Sequence, residues 1–165
     1  MPKTTKREQL VETLSAVSAE WSAAPRYTNQ IEMRVPVKQN VTALSFCKSQ
    51  GFTHLSNIAC LDWIGESRLE VMYNLWSYKY KLHITLKVRT ERENPAVDTV
   101  LSLWPQAQVY EQEIHEFFGV DFPGNPDLSP LFLHNWQDMP PLRKDFDSEE
   151  YSRKAYGFLE KKKGE

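Results

Sequence analysis

The chain has 165 residues, 41% hydrophobic and 25% charged, which is the length and balance of one globular domain with its own core. A formal net charge of -2 gives no basic surface of the kind nucleic acid demands. Two cysteines, Cys47 and Cys60, are too few for a disulfide framework, a zinc ribbon or an iron–sulfur cluster built from this chain alone.

Both cysteines lie in apolar stretches and are expected to be small buried hydrophobes in a reducing compartment. The polar opening MPKTTKREQLVE lacks the apolar core of a secretory signal. No apolar run approaches the ~18–20 residues needed to span a bilayer, so any membrane attachment is expected through another protein.

Leu10, Leu14, Val17 and Trp21 recur at helical spacing and predict an amphipathic helix over Lys6–Trp21, ended by Pro25. Ile31, Met33 and Val35 alternate with Glu32 and Arg34, which predicts one half-buried strand over Arg26–Val35. Val37, Val41, Leu44 and Cys47 form a second helical stripe, with Gly51 placed as its C-terminal cap. Three strands are predicted next, over 52–61, 68–76 and 81–89, and the short gap Ser77–Tyr80 makes the last two a hairpin. His83 falls on the polar face of the last strand, where a solvated side chain is expected.

A short helix is predicted over Val97–Leu103, then a longer one from Pro105 to Phe118. Ala107, Tyr110, Ile114 and Phe117 line one face of the longer helix; Gln108, Glu111, Gln112 and His115 line the other. Gly119 ends it. From Gly119 to Phe146 periodicity stops, yet the stretch holds five prolines together with Phe122, Leu128, Leu131, Phe132, Leu133, Trp136, Leu142 and Phe146. Disordered segments are poor in such residues, so a fixed path is expected, with apolar side chains covered by the domain or by another protein. Lys161-Lys162-Lys163 reads as a solvated tail.

His115-Glu116 begins like the zinc-peptidase helix His-Glu-x-x-His, but Gly119 stands where the second histidine belongs. Glu113 and Glu116, and likewise Glu111 and His115, are helix neighbours suited either to acid–base work or to a charged face with i,i+4 support. They can equally meet cations on a partner or elsewhere in the chain. Pro141-Leu142-Arg143-Lys144-Asp145-Phe146 frames three charges with apolar residues, as an interface or a surface loop would. The residues alone predict an α+β domain over 1–118, a mixed β-sheet with flanking helices, followed over 119–165 by a long proline-rich extended C-terminal docking arm and charged tail.

Three motifs in fixed order then carry a resemblance. Trp104-Pro105-x-Ala107, the run Glu111-Gln112-Glu113-Ile114-His115-Glu116-Phe117-Phe118-Gly119-Val120-x-Phe122-x-Gly124-Asn125-Pro126-Asp127-Leu128, and Pro141–Phe146 are similar to those of the C subunit of NADH:quinone oxidoreductase. This is the thirty-kilodalton subunit of respiratory complex I. The likeness spans 26–146. That family usually has Glu-Arg-Glu at 111–113, Asp at 116, Gly-His-Pro at 124–126, and Gly-His before Pro141. These departures leave open which assembly is the parent: complex I, or an energy-converting nickel–iron hydrogenase or a ferredoxin- or coenzyme F(420)-oxidising complex.

The resemblance implies a non-catalytic subunit on the cytoplasmic face of the membrane, held there through its complex. Its implied partners are a large subunit with the quinone cavity or nickel–iron site and a small iron–sulfur subunit. Iron–sulfur clusters, and flavin or nickel–iron, would reside in partners, with none in this chain. Implied interface residues are Glu113, Glu116, Phe118, Gly119, Phe122, Pro126, Asp127, Leu128, Leu142, Arg143, Lys144 and Asp145. Readings from other classes are a free-standing zinc hydrolase using His115 and Glu116, and an adaptor unrelated to redox chemistry.

Overall fold

A computed structural model of the protein describes residues 5–157. Five strands, β1 (Ser22–Tyr27), β2 (Gln30–Val35), β3 (His54–Trp63), β4 (Arg68–Ser77) and β5 (Leu82–Glu91), form one sheet in the order β1-β2-β5-β4-β3. β2 and β5 run parallel and the other neighbours antiparallel. The helices are α1 (Lys6–Ser15), α2 (Asn40–Ser49), α3 (Ala107–Phe118) and α4 (Ser148–Tyr156). The α+β class and the mixed sheet with flanking helices are therefore as the alternation and helical stripes predict.

Period-two alternation puts Ile31, Met33 and Val35, then Ile84, Leu86 and Val88, then Leu69, Val71, Tyr73 and Leu75 in the core. Leu10 and Leu14 of α1, Ala43, Leu44 and Cys47 of α2, and Ala107 and Ile114 of α3 join the same cluster. On the alternate positions a polar row crosses four strands: Gln30 donates to Thr85, Thr85 to Asn74, and Asn74 to Asn57, each bond 2.7–2.8 Å long. Both cysteines are buried, and burial pushes each thiol up to about 12, which removes thiolate chemistry at neutral pH.

Several elements differ from the sequence reading. The first helix stops at Ser15, and Trp21 leads into β1 with its indole donating to Gln39. The expected single strand over 26–35 is a hairpin folded at Thr28-Asn29, and Pro25 lies inside β1. β1 is an edge strand, where a missing N–H is tolerated. The short helix expected at 97–103 does not form. Val97 and Thr99 instead donate their N–H groups to the carbonyls of Asp121 and Pro123, which draws this stretch into an extended path.

The largest difference follows Gly119. No helix or strand spans 120–147, but the segment is not an extended arm. Val120 and Phe122 are buried in the core, later residues fold back on α3, and α4 follows near the end of the described residues, a helix that the proline content concealed. α4 has ordinary helix signals: Asp147 accepts from the N–H groups of Glu149 and Glu150, and Gly157 caps the far end at φ 61°.

The polar side of α3 is also reversed from a solvated charged face. Glu111 is 0% exposed and Gln112 is buried, because the loops at 97–101 and 125–129 cover them. Glu111→Ala leaves the Val100 N–H without an acceptor inside the protein, so it lowers unfolding free energy by about 2–3 kcal/mol in urea titration; a loss below about 0.5 kcal/mol, the range of surface substitutions, would contradict this.

Candidate partner-binding site

The site is the outer surface of α3 with the segment that folds over it. Glu111 accepts from the Thr99 hydroxyl at 2.6 Å, the Val100 N–H at 2.9 Å and the Asn125 amide at 2.8 Å. Beside it, Gln112 donates to the Ser129 carbonyl at 3.2 Å. One turn on comes Glu116, whose carboxylate accepts from the consecutive backbone N–H groups of Leu131, Phe132 and Leu133. Gln108 reaches the Asp127 carbonyl. Side chains at 108, 111, 112 and 116, spaced i, i+3, i+4 and i+8, thus fasten 125–133 along one side of the helix, as 3.6-residue periodicity requires.

The helix end is locked by a different device. Gly119 adopts φ 70° and donates to the His115 carbonyl at 2.8 Å. His115 Nδ1–H donates to the Val120 carbonyl at 2.9 Å. Leu142 N–H donates to the Phe117 carbonyl, and Arg143 Nε donates to that of Phe118 at 2.8 Å. A Cβ on Gly119 would stand 2.9 Å from Pro140 Cγ and 3.2 Å from an Arg143 nitrogen. Glycine is needed here for both its backbone angle and its lack of volume.

A charge clasp holds the motif 141–146 to the sheet. Arg92, just past β5, pairs with Asp62 at 2.8 Å and with Asp145 at 2.5 Å. Asp62 also accepts the Lys144 N–H at 2.9 Å. The Asp62 side chain is 1% exposed. Hydrogen bonds from Arg92 hold both carboxyls below their ordinary range, against the opposing effect of burial.

Beyond these anchors the segment has little cover. Trp136, Phe146 and Tyr151 cluster with centroids 4.5–5.7 Å apart, and Phe132 stacks on Phe117 at 5.9 Å. Yet no residue from 129 to 157 is buried. Phe132 is 65% and Leu142 54% exposed.

The twelve residues implied by resemblance thus fall in different settings. Phe122 is inside the core. Glu116, Phe118, Gly119, Arg143, Asp145 and the backbone of Lys144 are engaged within the chain. Leu142 is exposed, as are Pro126 and Asp127, while Leu128 is half-buried. Glu113 is exposed as well. Sequence reasoning missed Asp62 and Arg92, and it singled out Glu111 as a helix neighbour of His115 without showing that loops on both sides bury it. A charged residue inside the apolar alternation of a strand, as Asp62 is, was the one available signal. His115 and Glu116 are occupied by backbone groups, and among the described residues no group of three His, Cys, Asp or Glu side chains could hold a metal ion.

Residues 33–152 match the family described as respiratory-chain NADH dehydrogenase, 30 Kd subunit. The chain belongs to this family. The C subunit of a NADH-quinone oxidoreductase from Moorella thermoacetica is 35% identical over 68% of this chain and 76% of its own length. The C subunit of the F(420)H(2) dehydrogenase of Methanosarcina mazei is 35% identical over 58% of this chain and 61% of its own. Against the NADH-quinone oxidoreductase C subunit of Novosphingobium aromaticivorans, 98% of this chain aligns at 32% identity but covers only 53% of that protein. The chain thus spans about half to three quarters of these relatives.

Among solved structures, a chain of the membrane-bound sulfane sulfur reductase, an archaeal respiratory membrane complex, superposes with a TM-score of 0.88. The match covers 98% of this chain and 97% of that one at 28% identity. The trypsin-resistant fragment of Nqo5 gives 0.63, covering 73% of this chain and 98% of its own at 25% identity. The relatives are subunits of multi-subunit oxidoreductase complexes. No helix among the described residues is long and apolar enough to cross a membrane.

The clasp predicts a pH response. Asp62 and Asp145 have depressed folded-state values, so their contribution is complete above the unfolded value of about 3.9 and is lost as pH falls through the folded value. Arg92→Ala leaves Asp62 buried without its cation and costs about 3 kcal/mol at pH 7. It also shrinks the loss of stability on acidification, because Asp62 no longer resists protonation. Unfolding curves from pH 7 to pH 2 check both; equal acid slopes in variant and wild type would contradict the clasp.

Proposed function

We propose that this chain is a non-catalytic core subunit of the hydrophilic arm of a complex I-like, membrane-bound oxidoreductase. It braces the large subunit bearing the quinone site, next to a small iron–sulfur subunit, and so supports electron transfer coupled to ion translocation. Iron–sulfur clusters and flavin or nickel–iron belong to the partners. The chain sits on the cytoplasmic face and is held at the membrane through them.

The observation that carries this reading is the state of residues 129–157. Their aromatic side chains have a defined path and defined contacts, but none is buried. The chain as a whole superposes, over 98% of its length, on a chain of an archaeal respiratory membrane complex. Apolar surface held in a fixed shape and left uncovered is what a docking partner needs. The sequence and fold likenesses to the F(420)H(2) dehydrogenase protein and the sulfane sulfur reductase chain support a second reading. In it the chain serves the equivalent place in a hydrogenase-type or ferredoxin- or coenzyme-oxidising complex.

Affinity purification of the tagged chain from gently solubilised native membranes tests the proposal. A large subunit and an iron–sulfur subunit are expected to co-elute with oxidoreductase activity, while the chain produced alone turns over nothing. Elution as a free monomer, or substrate turnover by the chain alone, would overturn it.

A further inference from the structure

The outer strand β3 and the helix α3 do not close on each other along their whole length. An open groove of about 340 Å3 runs between them, walled by Ile58 and Ala59 of β3, Tyr110 and Phe117 of α3, and Leu142. Phe132, stacked on Phe117 and largely exposed, extends the apolar wall.

Glu113 also lines the groove. The other two carboxylates on this helix are satisfied within the chain, Glu111 by three donors and Glu116 by three backbone N–H groups. Glu113 is exposed and has no hydrogen bond or ion pair among the described residues. Covering an apolar groove with a carboxylate at its edge strands a charge unless the occupant brings the opposite one. A lysine or arginine does both things at once, because its stem packs on apolar walls while its head meets the carboxylate. The same edge charge repels the acidic groups of an anionic lipid or a nucleotide.

We propose that this groove seats an apolar segment of a neighbouring subunit, with a lysine or arginine of that segment paired to Glu113. The proposal rests on the reading of the chain as a subunit of a larger complex, and deepens it by naming the place and chemistry of one contact. It also separates two kinds of residue within the family motifs. Those at 116, 119, 143 and 145 shape the platform from inside the chain, while Glu113 and Leu142 face outward to the partner.

The test compares tagged wild type with Glu113→Lys, Glu113→Gln and Leu142→Asp, each purified from native membranes under one salt condition. Both positions are exposed, so the melting temperature of each variant produced alone is expected to match wild type, which separates lost docking from lost folding. Glu113→Lys is expected to reduce co-eluting partner about tenfold, since like charges at an interface are repelled, with Glu113→Gln intermediate. A photo-crosslinking amino acid at position 142 is expected to label another subunit, at a peptide where a lysine or arginine stands among apolar residues. If wild type retains its partners and Glu113→Lys retains them equally, the groove proposal falls and the subunit reading stands. Labels confined to this chain, residues 158–165 included, also overturn the groove proposal. If wild type retains no oxidoreductase subunit, both fall.

Discussion

A carboxylate taken out of water must find donors, and the placement of Glu111 shows how much structure that requirement can organise. Its three partners come from a loop before α3 and a loop after it. Each loop is irregular, and neither would be held by backbone ladders alone. Meeting the needs of one buried charge pins 99–100 and 125 to the same helix face. Once 125 is pinned, Gln112 and Glu116 receive the chain at 129–133 in register. The motif at 141–146 then reaches the end of α3 and the clasp at Asp62 and Arg92.

Much of the fold was legible because the two periodicities were strong. β4 and β5 alternate so regularly that their bounds, their hairpin and their buried side could be read directly. The stripe in α2 and the glycine beyond it were equally clear. Periodicity failed where more than one partner covered an element. On α3 it separated the two faces correctly, but it could not tell that the polar face is covered too, because the covering loops come from sequence on either side. β1 was hidden by Pro25, which argues against a strand unless the strand is known to lie at an edge. α4 was hidden by the prolines before it, although Asp147, Glu149, Glu150, Arg153 and Lys154 supply caps and charges in helical order.

The candidate site was legible in its motifs and not in its roles. The run from Glu111 to Leu128 and the run from Pro141 to Phe146 stood out as dense and ordered, and family membership accounts for their order. Sequence spacing could not show that Glu116, Arg143 and Asp145 spend their hydrogen-bonding groups inside the chain. It also could not show that Arg92, from outside every motif, ties the second run to the sheet. On the proposed docking role, the motifs consist largely of residues that shape a surface, with few that touch what docks on it. That division fits the proposed platform role, since ordering a platform beforehand lowers the cost of association.

The central claim is that residues 129–157 are anchored by this chain but closed off only by another. Amide hydrogen exchange of Trp136 to Tyr156, compared between the purified chain and the intact membrane complex, tests it most directly. Expected are slow exchange across β4 and β5 in both states, faster exchange in the free chain at the unburied amides of 136–156 that no anchor engages, and marked further protection of 136–156 on assembly. Slow exchange throughout 136–156 in the free chain, unchanged in the complex, would contradict it.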